Sequence, residues 1–303
     1  ACFKLEFYVY IKMKYLNLRW SKLFRNIFNC KMKDMLRRKE FLIAFTLSIL
    51  LFLAPCLIDL YYLFGSDIIA VNPAWTYWGE LNAFIGAKYT MQIRMVVYLM
   101  VLPFLSSLAY SYCYFDDYKS GAIKVILTRI SREKYYISSV LTVFLSGFFI
   151  VFVPLALAQL IFCVACPLET LRMMGSEPFL DDNFQFVGFF RSIGVNSPYL
   201  YNLIYCAIPG IVSGLLAQLS FSFSLFYHKS RFIVLTLPGI LWVLIQFIIS
   251  VLNTSYIPIY HLLMPPIGVS NMTLSHIVLL ILVPVIINCF TISYKLLKVK
   301  DEV

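Results

Sequence analysis

Charge is what this chain has least of for its size. Asp, Glu, Lys and Arg make up 13% of its 303 residues, against about a quarter in a soluble domain. So few charges cannot cover a water-facing surface. With 61% hydrophobic residues and a mean hydropathy of +0.83, most of the apolar surface must face lipid. Length alone would accommodate two soluble domains, but this composition points to one bundle of membrane spans. Histidine is scarcer still, with three in the chain, and none lies near the one close cysteine pair, Cys163 and Cys166. Metal sites need a second such pair or added histidines. The eight cysteines therefore read as buried thiols; the alternative for Cys163 and Cys166 is a bridge near the outer surface. His-Glu-x-x-His is missing, as are aspartates spaced along spans, which argues against an intramembrane protease or a prenyl or phosphatidyl transferase. No GxxxxGK[ST] loop occurs, so the chain carries no phosphate cradle of the P-loop kind. The apolar runs also lack an ionisable residue near their centres: Asp59 and Arg94 fall toward outer ends. An ion-driven carrier would place one at the midplane, so energy is expected from a partner. No cleavable signal peptide is apparent, because the basic N-terminal segment is long and leads into a full span.

What the chain does have is long apolar runs. A span needs about 20 mostly apolar residues. Six qualify, at about 41–64, 94–114, 135–166, 199–226, 232–252 and 274–294. The last two are separated by "NTSYIPIYHLLMPPIG", whose prolines and glycine break a helix. The expected fold is an all-α polytopic membrane protein, with residues 1–40 as a cytoplasmic and interfacial segment and 41–303 as a six-span domain. Pro55, Pro103, Pro154, Pro209, Pro238 and Pro284 fall inside spans. Each removes a backbone donor, which shapes the bundle or supplies hinges.

The formal net charge of +10 follows this topology. Residues 1–40, 114–134, 226–231 and 295–303 hold 21 of the 25 Lys and Arg residues. Lys88, Arg94, Arg172 and Arg191 are the rest, in alternate connections. Basic loops stay on the cytoplasmic side, which places both termini inside. Nucleic acid is not an expected partner, since the basic residues are spread by topology instead of gathered in one domain. The expected location is a bacterial cytoplasmic membrane, crossed several times.

Two short stretches outside the spans show helical periodicity. In "RWSKLFRNIF", Trp20, Leu23, Phe24, Ile27 and Phe28 recur at i, i+3, i+4, i+7 and i+8, with Lys22, Arg25 and Asn26 between them. This spacing predicts an amphipathic helix on the cytoplasmic interface, touching membrane lipid or also a cytoplasmic partner. In "FDDYKSGAIKVILTRISREKYY", Ile123, Ile126, Leu127 and Ile130 repeat at i, i+3, i+4 and i+7. That predicts a helix of about two turns over 120–130. Ser120 is placed to cap its start and Asp116 and Asp117 to favour its positive end; Arg129, Arg132 and Lys134 lie toward the other. Such a helix lies on lipid or fits a groove in another protein.

The second stretch resembles the cytoplasmic loop of type 2, exporter-class ABC-transporter permeases. Their pattern is an acidic residue, Gly, a small residue, Ile or Leu, a basic residue, apolar residues, Thr or Ser, and Ser-Arg before the next span. It falls on Asp116 or Asp117, Gly121, Ala122, Ile123, Lys124, Ile126, Leu127, Thr128, Ser131 and Arg132. Many members have Pro or Gly before Ile-Ser-Arg; here Arg129 runs directly into Ile130, which leaves the following turn open. The basic "MKDMLRRKEF" ahead of the first span and the six-span layout are also similar to the family.

The resemblance implies a coupling helix that docks into a cleft on a separate ATPase subunit. The transporter would hold two ATPase chains, with ATP and Mg bound there and no cofactor here, and a second permease chain, identical or homologous. The apolar stripe would fill the cleft while Lys124, Arg129 and Arg132 meet its rim. The chain would not itself be an enzyme. A membrane immunity factor or sensor that recruits a soluble partner through the same helix is the alternative. Small and hydroxyl residues on the spans, Ser106, Ser107, Ser213, Gly214 and Ser220, would line a substrate path or allow close helix packing. Trp75, Tyr77, Trp78 and Phe84 in the outer loop fit the aromatic membrane interface. The acidic residues of 166–198 read as a solvated face.

Overall fold

The computed structural model describes residues 24–65, 74–75, 88–168, 190–252, 262–264 and 274–298. Trp20 and Leu23 lie outside the described residues, as do Tyr77, Trp78, Phe84 and most of the connections at 66–87, 169–189 and 253–273. Among the described residues the chain is helical, without strands. Helix α1 covers 24–37. It is followed by α2 (Lys39–Gly65), α3 (Lys88–Val96), a π-helical turn (Val97–Val101), α4 (Leu102–Tyr110), α5 (Cys113–Lys119) and α6 (Ala122–Arg129). Then come α7 (Arg132–Ala165), α8 (Arg191–Asn196), α9 (Pro198–Ser224), α10 (Arg231–Leu252) and α11 (Leu274–Lys298).

Five of these, α2, α7, α9, α10 and α11, are long and apolar enough to cross a membrane. The chain is thus a helical, multi-pass membrane protein in character. The run expected as the second span differs in form. It is helical from Lys88 to Tyr110 in three pieces, because the hydrogen-bond ladder widens over Val97–Val101 before Pro103 restarts it at the first turn of α4. Pro is accommodated there since a first-turn N–H has no intrahelical partner. The other five prolines sit within α2, α7, α9, α10 and α11.

The interior is built around α7 and α9, the most extensively packed pair. Their crossing depends on glycine. A Cβ added to Gly147 would stand 2.8 Å from the Ser213 carbonyl oxygen, and one on Gly214 would stand 2.8 Å from that of Phe144. No side chain fits at either place. Ser213 Oγ donates to the Gly147 carbonyl at 2.9 Å across the same contact. Small residues replace the missing hydrophobic drive between helices in lipid by letting backbones approach. Helix α9 is the most buried of the five, whereas α11 is peripheral. Its lipid-facing side carries Leu279, Leu282, Ile286 and Phe290.

Asp59 and Arg94, toward ends of the apolar runs, are buried. Asp59 on α2 accepts hydrogen bonds from the backbone N–H of Thr90, at 2.8 Å, and from its hydroxyl. Thr90 is in the first turn of α3, whose leading N–H groups have no partner within the helix. A carboxylate from a neighbouring helix supplies one. Arg94, one turn further along α3, is 5% exposed.

Candidate functional site at the charged end of the bundle

The short helix expected over 120–130 exists, with bounds Ala122–Arg129. Its start differs from the expectation. Gly121 occupies the cap position with φ at 73°, and no side chain caps the helix. That left-handed geometry suits glycine, which has no Cβ to meet the following carbonyl. Ser120 instead closes the preceding helix: its Oγ donates to the Asp116 carbonyl at 2.7 Å and to that of Asp117 at 3.3 Å. Asp116 and Asp117 lie in α5, on the far side of the Gly121 turn, and are not at the positive end of α6. The physical reason is the turn itself, which ends one helix before the next begins.

At its other end α6 stops where Ile130 turns extended (φ −134°, ψ 138°) while its N–H still reaches the Ile126 carbonyl. Ser131 is extended too, and Arg132 opens α7. The direct Arg129–Ile130 junction is therefore resolved without Pro or Gly, by two extended residues.

The apolar stripe of α6 faces this chain's own bundle. Ile123 is 6% exposed and belongs to the core, and Ile126 and Leu127 are partly buried against it. Ile130 is half-buried. The face turned outward carries Lys124, Val125, Thr128 and Arg129, all exposed, with Val125 at 60%. Arg132 is half-buried at the foot of α7.

While α6 follows its glycine, α5 and the residue before it are tied to distant segments of the chain. Arg38, at the joint between α1 and α2, pairs with Asp116 at 2.7 Å and with Asp34 on α1 at 3.0 Å. Burial alone would lower the Arg38 pKa, but Asp34 and the hydrogen bonds to both carboxylates raise it overall. The Tyr135 hydroxyl on α7 donates to Asp117. His228, in the connection between α9 and α10, lies against the Tyr118 ring with centroids 4.0 Å apart. Just before α5, the Tyr112 ring carries the Arg231 guanidinium of α10 at 3.7 Å, and Arg231 also pairs with Glu40 at 2.8 Å.

The amphipathic helix expected around Trp20–Phe28 is seen from residue 24 onward and continues to 37. Ile27, at 9% exposure, and Met35, at 0%, sit against the bundle. Between them Lys31 donates to Ser139 Oγ at 2.5 Å and stands 3.8 Å over the Tyr135 ring. Burial pushes the Lys31 ammonium below the ordinary lysine value, against the pull of Asp117 and Asp34. Phe24 and Phe28 are half-buried, with stacked rings. Asp34 Oδ2 also accepts from the Tyr110 hydroxyl at 2.7 Å.

The five residues considered for a substrate path are all buried, and Ser213, Gly214 and Ser220 sit at helix contacts. Ser106 and Ser107 donate to the Pro103 carbonyl, Ser220 bridges Ser111 and the Val234 carbonyl, and Ser213 and Gly214 form the α7–α9 crossing. Among the described residues no three His, Cys, Asp or Glu side chains are grouped to hold a metal ion.

Sequence reasoning missed the ties to α5. Arg231, Glu40 and His228 carry no local pattern, and their pairing spans many residues of chain. Only the clustering of ionisable residues on the same side of the expected topology pointed to them. No family model, curated protein or solved structure matches this chain.

Proposed function

We propose that this chain is the membrane subunit of an ATP-driven exporter, with α6 as the helix that couples it to a separate ATPase. The observation that carries this reading is the form of α6. It is a two-turn helix bounded by a left-handed glycine and an extended residue, and its outward face of Lys124, Val125, Thr128 and Arg129 is exposed. The resemblance of 116–132 to exporter-class permeases supports it further.

In this reading α3, the π turn and α4 together make a sixth span, and both termini lie in the cytoplasm of a bacterium. Two ATPase chains, carrying ATP and Mg, act on two permease chains. Closure of the ATPases pushes on α6. The push reaches α5 through Gly121 and, by the ion pair at Arg38 and the hydrogen bond at Tyr135, moves the ends of α2 and α7. The chain binds no nucleotide itself.

The stripe residues Ile126 and Leu127 partly stabilise α6 on its own bundle, so replacing them would confuse misfolding with lost docking. The informative variant is Lys124→Glu with Arg129→Glu. Co-expressed with its cognate ATPase, the native chain is expected to co-purify as a complex that moves substrate into sealed vesicles with ATP. The double variant should insert normally and lose the ATPase. Undiminished capture would overturn the docking role. Stable capture of a partner without nucleotide-dependent transport would favour a membrane immunity factor or sensor.

A further inference from the structure

Helix α1 has two apolar edges, and the bundle buries one of them more fully than the other. Ile27, Lys31 and Met35, spaced one turn apart, form the more buried edge, from which Lys31 reaches Ser139 and Tyr135 of α7. Phe28, Met32 and Leu36 form a neighbouring edge, one residue further round the helix. Phe28 is half-buried and Met32 packs in part against the core, but the edge ends in Leu36, which is 53% exposed. Next to that edge stand Arg25, Lys33 and Arg37, all exposed. An apolar edge flanked by cations is the arrangement that lets a helix lie in a bilayer surface with its charges at the headgroups. The same helix carries Asp34, which leads through Arg38 to Asp116 on α5.

We propose that Arg25, Lys33 and Arg37 bind anionic lipid headgroups and that α1 passes this binding, through Asp34, Arg38 and Asp116, to the order of the α5–α6 segment. The occupant is a lipid surface because the cations adjoin the exposed Leu36, at the open end of an apolar edge on a helix packed at the end of a membrane bundle. A folded acidic protein would match the charges but leave Leu36 unexplained. The inference does not depend on the chain being an exporter subunit.

The test is amide hydrogen exchange on the full chain in nanodiscs of phosphatidylcholine alone or mixed with phosphatidylglycerol. Exchange over 113–130 is expected to slow by roughly fivefold or more in the anionic discs, about the factor one surface cation's attraction supplies. Arg25→Gln/Lys33→Gln/Arg37→Gln should exchange alike in both discs. Arg25→Lys/Arg37→Lys should keep the response, which separates charge from misfolding. Arg38→Gln should keep the lipid response of α1 itself and lose it over 113–130. Equal exchange of the native chain in both discs would overturn the proposal, as would a response that survives in the triple Gln variant. So would slowing by soluble polyglutamate in neutral discs where anionic lipid has no effect, since that would make the face a protein contact.

Discussion

Helices α1 and α6 were both expected from one pattern, apolar residues at i, i+3, i+4 and i+7, and they meet the bundle differently. Helix α1 fastens its seam with a fully buried Met35, a lysine hydrogen-bonded to Ser139, and an aspartate bonded to Tyr110 and Arg38. Helix α6 commits Ile123 fully and Ile126 and Leu127 in part, and its outward cations and Val125 face away. Periodicity sets which side of a helix is apolar. How firmly the helix is held depends on polar partners contributed by distant segments.

The sharpest way to break the contrast is to place a carboxylate at matched positions. Met35→Asp would bury an unpaired charge in a site of 0% exposure and should cost about 3 to 5 kcal/mol. The expected result is loss of the folded protein in thermal unfolding of detergent-solubilised material. Val125→Asp, at a position 60% exposed, should shift the same transition by less than about 0.5 kcal/mol. Comparable effects at both sites would mean that α6 is as firmly held as α1.

A smaller effect is expected at the link between the two helices. Arg38→Gln leaves Asp34 and Asp116 without their shared cation. Both carboxylates are partly exposed, at 51% and 34%, so solvent screens the loss. The cost should be about 1 to 1.5 kcal/mol by thermal unfolding. Adding Asp116→Asn should recover part of it, because the second acid is then no longer unmatched. Additive losses would show that Arg38 and Asp116 do not act as a pair.

Five of the spans and the short helix over 120–130 were legible because hydropathy and period are local, while of the pattern at Trp20–Phe28 only residues 24–28 are described. The expected span limits fall within a few residues of α2, α7, α9, α10 and α11. The second span was harder to read, since a π turn leaves no mark in composition and Pro103 reads the same in a kink as at a restart. The Ser120 cap was misplaced for a similar reason. Serine caps a helix start or closes the previous helix equally well, and the left-handed turn at Gly121 decides between them. At the candidate site the stripe of α6 was visible, but which side of it faces outward was not. An amphipathic period does not say whether the apolar side meets a partner or the chain's own core. Asp59 appeared as an isolated charge, and only the fold brings Thr90 to it.

The mildest perturbation tests whether the independence of α6 resides in its hinge. Among the described residues Gly121 alone has positive φ, whereas α1 joins α2 at Arg38 with no left-handed residue. A Cβ at Gly121 would touch nothing within 4 Å, so Gly121→Ala adds backbone strain and no clash. The cost should be about 1 kcal/mol, with Gly121→Asn milder because asparagine tolerates the left-handed region. Because α6 adds little to global stability, that strain should appear locally, as faster amide exchange over 119–127 with the overall transition nearly unchanged. If Gly121→Ala leaves that exchange at the native rate, the turn is free to rearrange. The difference between the two helices must then come from their polar contacts alone.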